Sequence, residues 1–363
     1  MKNILILINV RWWNATAFYA INTARVLHKK GYAVYVGSKK GSPPYQKALQ
    51  YNLNVVNLNF ERFNPVKLFV NFFRMIRFIK SRQISILNAH RSEDHTFAAL
   101  ARLFAPVKFI LTRGDRRRIR KNYLGTLKYR IADGIILTCR SIYEQNKDLL
   151  TRFKDKIHII HGSVDEDHFI PQDKKLTARK YRIDLTKKIV GMAGRLDYVK
   201  DQYTFVRAAS NVIHKDKNIF FLLTGKEEHI KIKELEVLAK KEGIKDNLII
   251  LGHIKDIASV INLFDIAVVT SVDSETISRV VLEYLYLGKP VVGTRVNVIP
   301  EIIEHDENGF IIKPRDVQAL SDNLIKLLKN RSLLKKMSKR SWMRYQNFFS
   351  EDKFFQQLKN IFE

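Results

Sequence analysis

The stretch Thr270-Ser271-Val272-Asp273-Ser274-Glu275-Thr276-Ile277-Ser278-Arg279-Val280-Val281-Leu282-Glu283-Tyr284-Leu285-Tyr286-Leu287-Gly288-Lys289-Pro290-Val291-Val292 reads as a strand end, a polar turn, a helix and the start of the next strand. The apolar run Ile266 to Thr270 leads in, Gly288 stops the helix, and β-branched residues resume at Val291. A helix over 276–287 predicts Glu275 at its mouth and Glu283 about two turns inside. Glu283 lies within Val280-Val281-Leu282-Glu283-Tyr284-Leu285, where a buried carboxylate costs several kcal/mol unless something pairs with it. Arg279 at i,i+4 is one partner, but such pairs are worth roughly 0.2 to 0.5 kcal/mol and explain a solvated Glu283 better than a buried one.

The same strand, turn and helix pattern extends outward in both directions. Strands are predicted at 188–193, 219–223, 248–251, 266–270, 291–293 and 310–312, with helices near 201–214, 230–242, 255–264, 276–287 and 316–328. In the first half, strands at 4–8, 33–36, 55–58, 84–87, 109–111, 135–137 and 157–160 alternate with helices near 15–30, 43–51, 65–82, 94–104, 122–132 and 141–150. The implied fold class is α/β, two doubly wound parallel sheets, with chemistry at the carboxyl ends of the strands. Residues 162–182, with Pro171 and many charges, read as the linker, and 331–363 as one or two helices. The expected domains are 1–165 and 166–345, with a helix over 346–363 packing back toward the first.

A chain of 363 residues that is 46% hydrophobic has room for two cores. One cysteine, Cys139, excludes an internal disulfide framework and a cysteine-rich metal site and favours a reducing compartment. No stretch reads as an export signal or a membrane span, so the expected location is cytoplasmic, with peripheral contact at the inner face of the membrane left open. The net charge of +28 is uneven: residues 1–165 hold 30 Lys and Arg against 9 Asp and Glu, the remainder 34 against 27. An anionic partner for the first half follows, whether a phosphorylated substrate, an anionic lipid surface or nucleic acid.

Several segments after strands carry candidate chemistry. Arg11-Trp12-Trp13-Asn14 follows the first strand, and its paired tryptophans suit sugar stacking, a membrane interface or packing under the loop. Asn88-Ala89-His90-Arg91-Ser92-Glu93-Asp94-His95 follows the fourth, and its two histidines match no metal-ligand spacing, so His90 reads as a hydrogen-bonding group. After the fifth strand, Arg113, Arg116, Arg117, Arg118, Arg120 and Lys121 make a run suited to phosphate, or a solvated charge run. The segment Pro65 to Arg82 puts Phe69, Phe72, Ile76 and Ile79 on one helical stripe, fit for an anionic membrane or for packing on the sheet. In the second half, Gly194-Arg195-Leu196 with Lys200 offers glycine-exposed backbone, a helix N-terminus and two cations to a diphosphate, without Walker A or GxGxxG spacing. Gly225 and Gly252 end later strands where backbone can approach a ligand closely.

With these pieces in place the chain resembles glycosyltransferase family 4, retaining enzymes of the GT-B fold, in which two Rossmann-like domains face a central cleft. The resemblance rests on Glu275 and Glu283 at Glu-x7-Glu spacing, Gly288-Lys289-Pro290-Val291-Val292, Pro300-Glu301 and Asn308-Gly309-Phe310. It rests also on Gly194-Arg195-Leu196 with Lys200, on Leu251-Gly252-His253, and on His161-Gly162-Ser163-Val164-Asp165 with Phe169. It implies an acceptor-binding N-terminal domain and a C-terminal domain that holds a nucleoside-diphosphate sugar. Glu275 is then the group that meets the donor sugar together with the amides of Thr276, Ile277 and Ser278, and Glu283 meets the ribose. Arg195 and Lys200 take the diphosphate, the backbone of Gly252, His253 and Ile254 takes the base, and His90 positions the sugar. Arg11-Trp12-Trp13-Asn14 stands where members often carry Gly-Gly, and Glu275-Thr276-Ile277-Ser278 where they often read Glu-Gly-Phe-Gly, so acceptor and donor identity do not carry over. The expectation is a retaining transferase without cofactor or metal, acting on a cell-envelope glycan or lipid-linked acceptor as in lipopolysaccharide synthesis. A nucleotide-sugar epimerase on the same scaffold and a basic nucleic-acid-binding protein are the alternatives, and no nucleic-acid module is recognisable.

Overall fold

The computed structural model describes residues 2–60, 65–120 and 122–363, with only the backbone of Leu124. The chain divides into two units, Met1–Ser163 with Glu351–Glu363, and Val164–Ser350.

In the first unit the order is β1 (Asn3–Leu7), α1 (Ala15–Lys29), β2 (Ala33–Ser38), α2 (Pro43–Gln50), β3 (Asn54–Asn57), α3 (Pro65–Ser81), β4 (Ile84–Ala89), α4 (Ser92–Ala101), β5 (Lys108–Arg113), α5 (Tyr123–Ile131), β6 (Gly134–Leu137), α6 (Arg140–Gln145), α7 (Lys147–Leu150) and β7 (Ile157–Ile159). Seven parallel strands lie in the order β3-β2-β1-β4-β5-β6-β7. Ile4 to Leu7 of β1 are fully buried, as a central strand covered on both faces requires.

In the second unit the order is α8 (Lys174–Tyr181), β8 (Lys188–Ala193), α9 (Gln202–Ile213), β9 (Ile219–Thr224), α10 (Ile232–Lys241), β10 (Leu248–Leu251), α11 (Ile257–Leu263), β11 (Ile266–Val269), α12 (Arg279–Tyr286), β12 (Val291–Thr294), α13 (Ile299–Ile302), β13 (Gly309–Ile312), α14 (Val317–Lys329) and α15 (Arg331–Arg344). Its six parallel strands run β10-β9-β8-β11-β12-β13. Phe205, Phe221, Leu235, Phe310 and Leu324 anchor a core shared by helices and sheet. In each sheet the strand order reverses once, between β1 and β4 and between β8 and β11, and ligands of open α/β sheets bind beside such reversals.

The α/β class and both doubly wound sheets follow the expectation; three local readings do not. The second part of the expected linker holds α8, started by the Asp173 carboxylate, which accepts from the amides of Lys175 and Leu176, and packed on α11. Helix α12 begins at Arg279 rather than 276, because Ser274 and Ser278 adopt left-handed φ of +58° and +42° and hold the turn open. Gly288, at φ +63°, closes it: its amide donates to Leu285 O at 2.9 Å and that of Lys289 to Tyr284 O at 2.8 Å. The helix expected over 141–150 is split into α6 and α7.

After α15 a π-helical turn, Tyr345–Phe349, precedes α16 (Glu351–Phe362), which belongs to the first unit. There Glu351 pairs with buried Arg25 and with Lys29 at 3.0 Å, and Phe354 packs edge-on to Tyr19. No helix among the described residues is long and apolar enough to cross a membrane.

Candidate functional site

The strand reversal of the second sheet places two loops side by side, 194–201 after β8 and 270–278 after β11. The amide of Val272 donates to Val199 O at 2.8 Å. The Thr270 hydroxyl reaches Lys200 O at 2.8 Å and Asp201 O at 2.9 Å, and that of Thr294 reaches Ser271 O at 2.5 Å. Such fastening by one amide and two hydroxyls fixes where Lys200 and Glu275 sit before any ligand arrives.

Glu275 is 3% exposed, and its carboxylate pairs with the Lys200 ammonium and accepts from the Ser271 hydroxyl at 2.7 Å. Its carbonyl accepts from the amide of Val298 at 3.0 Å, which holds the turn against α13. Two residues with separate expected roles thus meet as one ion pair, its carboxylate buried and its ammonium half-buried. Glu275 also lies in the turn, four residues before α12, and Glu283 sits little more than one turn inside the helix.

Glu283 is 5% exposed, and Arg279 reaches it at 2.8 Å from the helix edge. The i,i+4 pair therefore exists on a buried carboxylate. Burial raises the Glu283 carboxyl above the usual range, against the lowering pull of Arg279. Arg195 is half exposed and reaches Glu228 at 3.1 Å and Asp197 at 3.7 Å. Burial opposes the ionisation of Asp197, yet the Val199 amide, His229 and Arg195 together hold its carboxyl below the usual range. Sequence reasoning missed Ser271, Asp197 and Glu228; the Arg195 to Glu228 pairing spans 33 residues and depends on sheet order, whereas Ser271 and Asp197 act within their own loops and carry no periodic signal.

The ends of β8, β9 and β10 form a shelf of bare backbone. A Cβ on Gly225 would lie 1.7 Å from Gly194 O, and the Gly225 amide donates to Gly252 O at 3.0 Å. At position 225 only glycine permits that approach to the end of β8. Beyond Gly252, His253 is exposed and Ile254 half-buried. In the turn after Glu275, Thr276 is half-buried while Ile277 and Ser278 are buried.

In the first unit, His90 follows β4 at the reversal but lies beneath the surface. Asn88 Nδ2 donates to Ile110 O and to Thr112 Oγ1, so Asn88 Oδ1 is an acceptor and His90 Nε2 donates to it at 2.7 Å. Nδ1 is then an unprotonated acceptor with no protein partner. Burial lowers the imidazole pKa to about 3, which keeps it neutral.

Arg113 is buried and its donors are spent internally, on Tyr129 Oη at 2.7 Å, Asp115 Oδ1 at 3.0 Å and the Arg117 carbonyl. It organises the loop instead of facing an anion. Arg116 is half-buried, Arg117 and Arg118 are exposed, and Lys121 lies outside the described residues. Arg11 and Trp12 are exposed, whereas Trp13 is half-buried and meets Phe18 edge-on at 6.4 Å.

Known proteins carry the same organisation. The family "Glycosyltransferase Family 4" matches residues 16–168 and the family "Glycosyl transferases group 1" matches residues 173–342. An N-acetyl-alpha-D-glucosaminyl L-malate synthase of Bacillus anthracis is 25% identical over 231 residues, which span 64% of this chain and 59% of that protein. The N,N'-diacetylbacillosaminyl-diphospho-undecaprenol alpha-1,3-N-acetylgalactosaminyltransferase of Campylobacter jejuni is 26% identical over 81% of each. Among solved structures, a glycosyltransferase from Rickettsia africae gives a TM-score of 0.86 at 20% identity, over 99% of this chain and 97% of that one. An Anabaena protein in complex with UDP gives 0.85 at 17% identity, over 99% of each. At such identities these two likenesses establish the fold. With the two family matches occupying consecutive stretches, one on each sheet, the chain belongs to the group 1 and family 4 glycosyltransferases of the GT-B fold.

Proposed function

We propose that the protein is a retaining glycosyltransferase that moves a sugar from a nucleoside-diphosphate sugar to a cell-envelope glycan or lipid-linked acceptor. The observation that carries this reading is the fastened pair of loops at the β8/β11 reversal, which joins Lys200 to Glu275 beside Gly194 and brings the backbone of Gly194, Gly225 and Gly252 together. The C. jejuni relative is named for transfer to a diphospho-undecaprenol compound, and the Anabaena neighbour is described with UDP and UDP-glucose.

In this mechanism the bond between the anomeric carbon and the diphosphate breaks, and its electron pair stays on the phosphate oxygen. Arg195, Lys200 and the amides at the start of α12 meet that charge, so the reading needs no metal. The acceptor hydroxyl attacks the face from which the nucleotide leaves, and its proton passes to the departing diphosphate. Glu275 holds sugar hydroxyls and Glu283 the ribose. His90, neutral with a pKa of about 3, orders its surroundings and transfers no proton near pH 7. Arg11, Trp12, Arg117 and Arg118 remain for an acceptor.

The test is a panel of nucleoside-diphosphate sugars, incubated with and without lipid-linked and glycan acceptors. Acceptor-dependent release of free nucleoside diphosphate supports transfer. Sugar inversion without release supports the epimerase, and neither product removes the reading.

A further inference from the structure

The stripe of Phe69, Phe72, Ile76 and Ile79 read from the sequence is divided by the structure. Phe72, Met75, Ile76 and Ile79 are buried and pack α3 on its sheet. Val66, Phe69, Val70 and Phe73 form a second stripe at i, i+3, i+4 and i+7 and remain in solvent, with Phe69 65% and Phe73 43% exposed. The segment after α4 extends it. Leu103 is 75% exposed and Phe104 45%, and Phe104 meets Phe72 at 5.4 Å and Phe73 at 6.1 Å between ring centroids. Phe69 and Phe73 lie 4.6 Å apart, so the apolar side chains of two elements make one continuous surface.

Charge selects its partner. Residues 65–81 hold Lys67, Arg74, Arg77 and Lys80 and no acid, and residues 95–114 hold no acid either. All four cations are exposed, with Arg77 and Lys80 continuing the stripe of Val66 and Phe73 toward the helix end. A second copy of this chain docked face to face would bring two positive rims together. A bilayer with anionic headgroups satisfies both parts, because aromatic rings enter the acyl boundary while the cations meet phosphate.

We infer that the face formed by the N-terminal half of α3 and the segment after α4 docks on an anionic lipid bilayer, with Phe69, Phe73, Leu103 and Phe104 inserted. The inference does not rest on sugar transfer, since vesicle binding needs no donor.

The test is co-sedimentation of the full chain with vesicles of equal phosphatidylcholine and phosphatidylglycerol, and with phosphatidylcholine alone. The full chain binds the mixed vesicles. The double variant Phe69→Ser/Phe73→Ser, with an unchanged melting temperature, loses at least about tenfold in partitioning. Lys67→Gln/Arg74→Gln/Arg77→Gln loses roughly tenfold on mixed vesicles and no longer distinguishes the two compositions. Phe69→Trp shifts its emission to the blue on binding. The inference is overturned by failure to bind mixed vesicles, or by a serine variant that partitions like the parent, which would assign binding to charge alone. It is equally overturned by a lipid-free dimer that the serine variant dissociates.

Discussion

The buried Glu275 carboxylate neutralises the half-buried Lys200 ammonium, so removing the carboxylate strands the ammonium's charge. Glu275→Ala is expected to cost about 3 kcal/mol in a urea titration. Glu275→Gln keeps an acceptor for the Ser271 hydroxyl and should melt closer to the parent, yet release nucleoside diphosphate at least about tenfold more slowly. Comparing the two separates the fold's need for the pair from the reaction's need for the carboxylate. His90 gives a pH signature. Its folded pKa of about 3 lies below the ordinary 6.5, so the stability due to its neutral burial is complete above 6.5 and is lost as pH falls toward 3. Asp94, raised to about 6 by burial against its Asn9 hydrogen bonds, works in the opposite sense between 3.8 and 6 and is common to both proteins compared. Unfolding free energies from urea titrations between pH 5 and 6.5 should therefore fall less steeply on acidification in His90→Gln than in the parent, by up to about 1.4 kcal/mol per pH unit.

The loops that position these residues depend on an approach that glycine alone allows. Gly225→Ala sets a Cβ against Gly194 O, and the strand ends must part. The expected result is a loss of at least about 3 kcal/mol in unfolding free energy, with nucleoside diphosphate binding abolished in the remaining folded protein. A variant that bound like the parent would remove the shelf from the site. The strands themselves were legible as β-branched runs, and alternation with helices was enough for two doubly wound sheets. Helix starts were less so, because Ser274 and Ser278 take left-handed backbone without the glycine that usually announces it. Helix α8 was hidden by its composition, Lys174-Lys175-Leu176-Thr177-Ala178-Arg179-Lys180-Tyr181, in which only Thr177 and Ala178 are buried. Glu275 and Glu283 could be singled out because carboxylates at those points of an apolar segment need a reason. The i,i+4 partner of Glu283, Arg279, could be read as well, but that of Glu275 could not: Lys200 stands 75 residues away, and no periodicity spans that distance.

At the scale of the whole molecule, the chain leaves its first unit after Ser163 and returns to it at Glu351. That return rests on a buried ion pair, since the Arg25 and Glu351 side chains are almost wholly enclosed. Glu351→Ala leaves the guanidinium without its carboxylate and should destabilise the first unit by about 3 to 5 kcal/mol, read as a lower urea midpoint with binding to the second unit retained. An unshifted midpoint would mean that apolar contacts such as Phe354 on Tyr19 hold α16 alone. The central claim concerns the second unit, where the β8/β11 reversal is read as the seat of a nucleoside diphosphate. Calorimetric titration of a set of nucleoside diphosphates into the parent and Glu283→Ala tests it most directly. At least one diphosphate should bind the parent, and Glu283→Ala should bind it roughly tenfold to a hundredfold more weakly. Affinity should also decline on acidification from a higher pH than an ordinary glutamate would give, because burial raises the Glu283 carboxyl. Equal affinity of parent and variant, or no binding by any diphosphate in the set, would contradict the account.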